Sequence, residues 1–349
     1  MSARSDKIVM GRNYLCACFV IALIASVVMT GCAGKFPPYR LQYTESTIPD
    51  GREFVTLKNF SSDNKPEVRR FKLNPKRIIA VGEAAAETLL RLGQAENLVA
   101  IVDTVESGAE LKARFPEFNR NGKCKILNRP GLETLMLLQP DFLVGWASNF
   151  TMKRYGSTAF WEERGASVYL APSSMPIYPE KTVDMEMQYI SDLGRIVGCA
   201  EFADQIADGI RNEIAECAKK IGGRRPRVMV LALSRSLIIN YNKGTLPGNI
   251  VELSGGRMLS SDRYLSPEEL ISINPDVIFI VRLDRRLDVG VKALVSNPKF
   301  RTLDCIATGN VYGIPVHWVY NSGINAGNAV KTMARYLHRY GEAYTAPRF

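Results

Sequence analysis

The chain has 349 residues and a formal net charge of +10 at pH 7, from 45 lysines and arginines against 35 aspartates and glutamates. This length exceeds what a single hydrophobic core usually serves, so two lobes are expected. The basic residues are scattered rather than clustered, which argues against a nucleic-acid partner. The positive balance suits an anionic ligand or an anionic membrane surface.

The N-terminal segment has the features of an export signal. Three basic residues precede an apolar run that ends at Met29, and a Thr-Gly pair leads directly to Cys32. A basic start, a short apolar core and a small-residue cleavage site form a secretory signal. The cysteine resembles that of the bacterial lipobox, which receives a diacylglycerol. We therefore expect residues 1–31 to be a signal peptide and Cys32 to anchor the protein to the cell envelope. The alternative is a retained transmembrane anchor, although the apolar run is shorter than the roughly 20 residues that a span prefers.

Four cysteines follow Cys32, and their spacing argues against a metal or disulfide framework. They are far apart and form no CxxC pair, so they match neither a zinc site nor a disulfide-dense domain. We expect buried thiols, with a single disulfide as the alternative. These residues are Cys124, Cys199, Cys217 and Cys305.

The first half of the chain predicts a tether, a hairpin and then an α/β lobe. Residues 32–75 are the predicted tether and hairpin, with strands at Phe54–Leu57 and Val68–Leu73. Short β-branched runs then alternate with helical stretches, which is typical of a doubly wound parallel sheet. The predicted strands are 77–82, 98–102, 142–146 and 168–171, and the predicted helices are 83–92 and 132–138.

The second half repeats this pattern after two helical stretches, 183–197 and 201–221. Its predicted elements are strands 228–233, 277–281 and 311–314, with helices 250–253 and 326–340. The fold class is therefore α/β, with two doubly wound, Rossmann-like lobes joined by one long α-helix. The predicted lobes are 76–198 and 224–349, and the bridging helix is 199–223.

The two lobes contain an internal repeat. Glu133 lies seven residues before the proline of Pro140-Asp141, and Glu268 lies seven residues before that of Pro275-Asp276. Each Pro-Asp pair enters an apolar strand, and the proline ends the preceding helix. Each glutamate is thus expected in the first turn of its helix, where it complements the helix dipole by about 0.3–1 kcal/mol. The repeat predicts a helix, a turn and a strand in both lobes.

At this point the chain resembles a known family, the cobalamin, haem and ferric-siderophore binding proteins of ABC importers, which have two lobes on a rigid helix. The resemblance covers most of residues 76–340. It rests on the order and spacing of several pieces rather than on any one of them. These are 77–81 with 87–93, 132–141, 266–276 and 297–312.

The resemblance implies both a partner and a docking mode. In this family one glutamate of each lobe pairs with arginines of the membrane permease, and Glu133 and Glu268 occupy the matching positions. Two carboxylates on separate lobes would orient the protein on guanidinium groups. Glu269 is a neighbour that could share the role. The expected partners are an ABC permease dimer with its ATPase subunits and a small-molecule metal chelate. The protein itself is expected to be a monomer.

The ligand is expected between the lobes, at the loops that follow the strands, because open sheets bind ligands there. These loops are rich in arginine and aromatic residues, which suit carboxylate or catecholate oxygens and the apolar rim of a chelate. Tyr320 also matches, by resemblance, a ligand-contacting tyrosine of catecholate-siderophore binders. The predicted ligand-binding residues are Arg129, Trp146, Arg235, Tyr241, Arg282, His317, Trp318 and Tyr320.

The sequence predicts a binding protein rather than an enzyme. It contains no GxGxxG after the first strand, no P-loop, no GxSxG and no HExxH, and it has two histidines in all. No site for a bare metal ion is predicted, because no His/Asp/Glu cluster is visible in the sequence. His317 could instead supply an axial ligand to haem or cobalt. A ferric siderophore or related chelate is the expected ligand, and no cofactor is expected. The alternatives are haem or a corrinoid, a ligand-sensing lipoprotein, or an enzyme on the same fold.

Overall fold

The computed structural model describes residues 53–219, 225–234, 237–283 and 286–338. The predicted signal peptide and Cys32 lie outside these residues, as does most of the predicted tether. All the described residues belong to one compact unit, 40–349. No helix among them combines the length and the apolar character that crossing a membrane requires.

The described chain begins with the predicted hairpin. Strands β1 (Phe54–Phe60) and β2 (Pro66–Lys72) pair in antiparallel register, with Phe60 opposite Pro66. The strands are longer than predicted. Pro66 is tolerated because it is the first residue of its strand, where a missing N–H costs least.

A five-stranded parallel sheet forms the core of the N-terminal lobe, in the order β5-β4-β3-β6-β7. Helices cover it, so β3, β4, β6 and β7 are buried along their whole length and read as continuous apolar runs. The short strand β5 was not predicted. The strands are β3 (Ile78–Val81), β4 (Leu98–Val102), β5 (Lys125–Leu127), β6 (Phe142–Gly145) and β7 (Ser167–Leu170).

Four helices connect these strands, and two of them were predicted. The other two, α2 and α4, are five to seven residues long and start at serine N-caps, too short for a helical period to show in the sequence. The helices are α1 (Glu83–Arg91), α2 (Gly108–Arg114), α3 (Leu132–Leu137) and α4 (Thr158–Glu162).

Two antiparallel helices, α5 (Val183–Ile196) and α6 (Ala200–Lys219), follow the first lobe. Helix α6 begins one residue after the start of the predicted bridging segment, and residues 220–224 lie outside the described chain. The two helices pack closely where Gly194 faces Ala203. A Cβ at Gly194 would lie 2.1 Å from that of Ala203, so a larger residue would not fit there. Helix α5 also contacts the segments on both sides of it. Asn249 of the second lobe accepts from the Val183 amide at 2.9 Å, and Ile196 O accepts at 2.9 Å from the amide of Asn74, which lies between β2 and β3.

The sheet of the C-terminal lobe is mixed rather than wholly parallel. Its order is β11-β9-β8-β12-β13, with β10 also pairing with β8. Strand β9 is antiparallel to β8 because two residues separate them, too few for a parallel crossover. The strands are β8 (Arg227–Ser234), β9 (Leu237–Tyr241), β10 (Arg257–Met258), β11 (Tyr264–Leu265), β12 (Val277–Arg282) and β13 (Val311–Pro315).

Six helices complete the described part of the C-terminal lobe. The closing helix was predicted, and the short helix predicted at 250–253 is longer at its N-terminus, where Thr245 caps it and Pro247 enters its first turn. The helices are α7 (Leu246–Leu253), α8 (Pro267–Ile273), α9 (Leu287–Val295), α10 (Asp304–Ala307), α11 (Val316–Val319) and α12 (Ala326–His338). The α/β fold class with two sheets is confirmed.

The four described cysteines are free thiols. Burial raises the pKa of Cys124 and of Cys305 to about 12. Thiols with such a high pKa carry little thiolate at neutral pH and are chemically inert. The expectation of buried thiols therefore holds for these two, and the alternative of a disulfide does not occur among the described residues.

Candidate functional site

Three predicted ligand residues from both lobes meet in one aromatic cluster, defined here as Trp146, Tyr241 and Tyr320. Trp146 directly follows β6, and Tyr320 follows α11. Their rings stack with centroids 4.0 Å apart and an interplanar angle of 30°. The ring of Tyr241 meets Tyr320 edge-on at 5.9 Å. All three side chains are half-buried. The stack thus joins the carboxyl edge of the first sheet to a loop of the second lobe.

An arginine that the sequence analysis missed lies near this cluster. Burial raises the pKa of Tyr241 to about 12 and also raises that of Tyr320, and in both cases the charge of Arg263 opposes the rise. Arg263 immediately precedes β11, and its carbonyl accepts from the Asn240 amide at 2.8 Å. Because β11 has two residues, it has no recognisable pattern, so Arg263 could not be placed near Tyr320 from the sequence.

Arg129 lies in a second group, on the rim of the first lobe. It is exposed and has a left-handed backbone with φ of 48°. Its amide donates to Asp103 at 2.8 Å, and the Tyr155 hydroxyl donates to the other oxygen of that carboxylate at 2.5 Å. The charges of Arg154 and Arg129 both act to lower the pKa of Tyr155, although burial and Asp103 raise it overall. Two guanidinium groups therefore lie near one phenol on this rim.

His317 joins a buried charged cluster that also spans both lobes. Its Nε2 lies 3.3 Å from Oε1 of Glu83, the first residue of α1. One turn further on, Glu87 bonds Arg114, which also donates to Glu106 at 2.8 Å. Glu83, Glu87, Glu106 and His317 are each at most 8% exposed. The cluster explains why α1 carries two glutamates on its buried face.

Three members of this cluster could hold a divalent cation. One donor atom from each of Glu83, Glu87 and His317 lies within 4.8 Å of the others. Carboxylate and imidazole donors suit first-row transition metals. Arg114 and Asn325 already bond the Glu87 carboxylate and would compete with an ion. This cluster was not visible in the sequence, because the glutamates and the histidine are far apart along the chain and meet only in the fold. That no bare metal ion binds stays a prediction.

A cavity of about 650 Å³ opens beside the charged cluster. Its lining combines the predicted residues His317 and Trp318 with arginines and a tyrosine from both lobes, Arg114, Arg335 and Tyr336 among them. The structure therefore divides the predicted aromatic and histidine ligand residues between two places. His317 and Trp318 line the cavity, whereas Trp146, Tyr241 and Tyr320 form the aromatic cluster.

The two remaining predicted arginines are Arg235 and Arg282. Arg235 lies outside the described residues. Arg282 ends β12, where its aliphatic stem packs so closely on α9 that a Cβ at Gly290 would lie 2.7 Å from it. Both were predicted to lie in cleft loops that follow β8 and β12. Strands β8 and β9 pair up to Ser234 and Leu237, so two residues separate them.

Glu133 and Glu268 occupy the same position in equivalent helices. Each is the second residue of its helix, α3 or α8, and each is exposed. Glu269 is committed elsewhere, because it forms a capping box with Ser266. Among the described residues, neither Glu133 nor Glu268 has a side-chain hydrogen bond or an ion pair. The predicted placement in the first turn is confirmed, and the docking role stays a prediction.

The chain matches the sequence model of a family described as periplasmic binding protein over residues 78–316. The match extends from the first strand of the N-terminal lobe into α11. It therefore includes the sheets of both lobes, α5 and α6, and the cluster residues up to position 316, whereas His317 and Tyr320 lie just beyond it.

Known relatives resemble the chain over most of its length. The cobalamin-binding protein of Halobacterium salinarum is 25% identical over 347 residues, covering 95% of this chain and 85% of the relative. A periplasmic binding protein from Veillonella parvula DSM 2008 has a TM-score of 0.73 and 25% identity, covering 84% of this chain and 95% of that one. The structure of an ABC-type Fe3+-hydroxamate transport system from Saccharomonospora viridis DSM 43017 has a TM-score of 0.66 and 17% identity, covering 81% and 98%.

Proposed function

The chain belongs to the periplasmic binding protein family, and from this premise we propose that it captures a metal chelate between its lobes for an ABC importer. A ferric siderophore or related iron chelate is the proposed ligand. Members of this family act outside the cytoplasm, and the chelate would pass from the binding protein to a membrane permease with its ATPase subunits.

The aromatic cluster is the observation that carries this proposal. Trp146 and Tyr320 come from different lobes, so a ligand held by both would contact both halves of the protein at once. Flat aromatic faces cover the apolar rim of a chelate, and Arg263 supplies a guanidinium group near the two tyrosines. Such a combination of apolar surface and a few placed polar groups is typical of small-molecule sites.

The stacked rings also imply how the ligand enters. Centroids 4.0 Å apart leave no space for a third group between the rings. A chelate must therefore separate Trp146 from Tyr320, either by rotating the rings or by moving the lobes apart. Because α5 and α6 pack closely and α5 contacts both lobes, we expect a small displacement rather than a wide hinge motion. Solution scattering with and without ligand measures this, and a large contraction would contradict it.

A corrinoid is the second candidate ligand. The cobalamin-binding relative from Halobacterium salinarum supports it, since its alignment covers 95% of this chain. An anionic chelate is favoured instead by Arg263 near the aromatic cluster and by Arg129 and Arg154 near Tyr155. A fixed guanidinium fork binds carboxylate and catecholate oxygens well.

The absorption spectrum of protein purified from its native host separates these candidates. An iron–catecholate or iron–hydroxamate band supports the first proposal. A corrinoid spectrum would transfer the assignment to cobalamin-type ligands, and a Soret band would transfer it to haem. Absence of any chelate after growth with all three in the medium would count against the proposed function.

We further propose that Glu133 and Glu268 dock the protein on its permease and that Cys32 anchors it to the membrane. Exposure and matching helix positions support the docking role. The lipobox-like sequence before Cys32 supports the anchor, and metabolic labelling with radioactive palmitate tests it. Label should enter the wild-type chain and be lost from Cys32→Ser, and equal labelling of the two would refute the anchor.

A further inference from the structure

A buried carboxyl group lies beneath the loop that carries Tyr320. Glu186 is on α5 and is 1% exposed. Its Oε2 accepts from the amide of Gly323 at 2.6 Å, whereas its Oε1 is buried without a hydrogen-bond partner. Buried polar atoms in proteins usually have a hydrogen-bond partner, so this carboxyl group is an unusual feature of α5.

Other polar groups surround this carboxyl group. The hydroxyl of Tyr189, one turn further along α5, is buried without a partner, and so is that of Ser322. Ser173 is also close enough to act on the carboxyl group. Hydroxyl groups rotate, so they can donate to a carboxylate or accept from a protonated carboxyl group. We call these four residues, Glu186, Ser173, Tyr189 and Ser322, the Glu186 cluster.

The Glu186 cluster lies between two segments, one that follows Tyr320 and one that holds the residue after Trp146. On one side, Ser322 and Gly323 follow Tyr320 within three residues. On the other, Ser173 is next to Ser174, whose hydroxyl accepts from the Ala147 amide at 3.0 Å, and Ala147 directly follows Trp146. A change in how Glu186 holds either segment therefore reaches the stack through very few bonds.

The loop has little freedom to move independently at this point. Gly323 has a left-handed φ of 49°, and a Cβ there would lie 2.4 Å from Oγ1 of Thr88 on α1. Its backbone is thus pressed between α1 and α5. The hydrogen bond to Glu186 fixes the height of this segment above α5.

The charge of Glu186 is poised to change near neutral pH. Burial raises the pKa of Glu186 to about 7, although the nearby polar groups of Ser173, Gly323 and Ser322 oppose the rise. The buried side chains that α6, α7, β1 and the 172–174 turn present to α5 are uncharged. The other buried titratable groups of α5 are Tyr189 and Asp192. Partly exposed charges of α6, Asp204 and Arg211, pair with Arg195 and Asp184 of α5. Past the 323–325 turn lie Glu83, Glu87 and His317.

We propose that Glu186 is a positioning residue that makes the ring stack sensitive to protonation. It fixes the loop after Tyr320 against the 172–174 turn, which in turn holds the segment after Trp146. An ionised carboxylate binds the Gly323 amide about twice as strongly as a neutral acceptor does. Protonation therefore loosens the loop, and the stack is held in its closest geometry above neutral pH. The link to chelate capture rests on the proposed function, whereas the coupling of Glu186 to the stack does not.

Fluorine NMR of the purified full chain, labelled with 5-fluorotryptophan and without any ligand, tests this coupling. The three tryptophans give three resonances, and Trp146→Phe assigns the one that matters. We expect the Trp146 resonance to shift with a midpoint near pH 7. The shift should be lost in Glu186→Gln, which keeps the shape of the side chain. It should persist in Asp192→Asn, a buried acid on the same helix that bonds Tyr169 and Gln188 instead.

Three outcomes would overturn the inference. They are a Trp146 resonance that does not titrate in the wild type, a titration that survives Glu186→Gln, and a loss that Asp192→Asn reproduces equally. If no chelate binds any variant while the Trp146 titration behaves as expected, the proposed function fails and this inference stands.

Discussion

The two lobes contain the same helix-to-strand unit, and the same kinds of hydrogen bond stabilise it in both. In the first lobe, Asp141 accepts from the amides at the start of β3, and Arg77 donates to carbonyls at the end of α3. In the second, Asp276 accepts from the Arg227 amide at 2.7 Å, and the Arg227 guanidinium donates to carbonyls at the end of α8. The Pro-Asp part of the repeat is therefore a structural lock that ties a helix end to the neighbouring strand.

The N-terminal caps of α3 and α8 differ, and this difference bears on whether Glu133 and Glu268 stabilise their helices or have another role. Helix α8 has a complete capping box made by Ser266 and Glu269, whereas Gly131 caps α3 without a side chain. If the shared glutamates served only to stabilise the helix starts, the well-capped helix would not need Glu268. Both helices nevertheless place an exposed glutamate second. The comparison therefore favours a shared external role for Glu133 and Glu268.

The largest effect should come from removing both shared glutamates. We expect Glu133→Ala with Glu268→Ala to lower uptake through the cognate permease by roughly a hundredfold, because two interfacial charge pairs are lost. Ligand affinity should change less than about twofold, since neither residue belongs to the aromatic cluster. Uptake in cells and equilibrium titration of the purified protein measure the two quantities.

Glu269→Ala is the matched control for this double variant. It removes a neighbouring carboxylate from the same helix and breaks the capping box, so stability should fall while uptake per folded molecule stays normal. Loss of ligand binding in the double variant would refute the docking role. An uptake defect in Glu269→Ala as large as that of the double variant would also refute it.

The structural locks should be unequal in strength. The Asp141 carboxylate accepts from two backbone amides, those of Lys76 and Arg77, at 2.9 Å each. The Asp276 carboxylate accepts from one backbone amide, that of Arg227. Since a hydrogen bond to a charged group contributes about 1.5–3 kcal/mol, Asp141→Ala should lower the free energy of unfolding by about 3 kcal/mol and Asp276→Ala by about 2. Urea unfolding measures both. An equal or reversed order would show that the locks do not work through these amides.

The smallest effect concerns the helix caps. Ser266→Ala should destabilise the protein by about 1 kcal/mol, because it removes an N-cap acceptor. Gly131→Ser is the opposite change in the other lobe and should be stabilising by a few tenths of a kcal/mol. Both are measured by thermal or urea unfolding. No loss in Ser266→Ala would mean that the caps are not what distinguishes the two helix starts.

Most of the fold could be predicted because its signals are local. Strands β4 and β6 and helix α5 were placed to within one residue, since buried β-branched runs and helical spacing are read directly from neighbouring residues. Strands β9 and β11 were missed because they are antiparallel additions in a lobe that otherwise repeats the parallel pattern. Their position depends on pairing with β8, which no short segment encodes.

The site could be predicted only in part, because its groups meet through the fold. Trp146, Tyr241 and Tyr320 were expected at strand ends, and the structure brings them together. The contact of Glu83 with His317 was missed, since it joins the start of one lobe to the end of the other. Glu186 was missed for another reason: inside α5 it looks like an ordinary polar residue of an amphipathic helix, and only its burial reveals it.

Equilibrium titration of the wild type, Trp146→Ala and Tyr320→Ala with a ferric catecholate siderophore, haemin and cyanocobalamin tests the central claim most directly. We expect one of these chelates to bind the wild type at one molecule per chain. Each variant should bind it at least about tenfold more weakly, because truncating a stacked aromatic anchor removes its contact area and its stacking. Absence of binding by every chelate, or affinity that both variants leave unchanged, would contradict capture at the aromatic cluster.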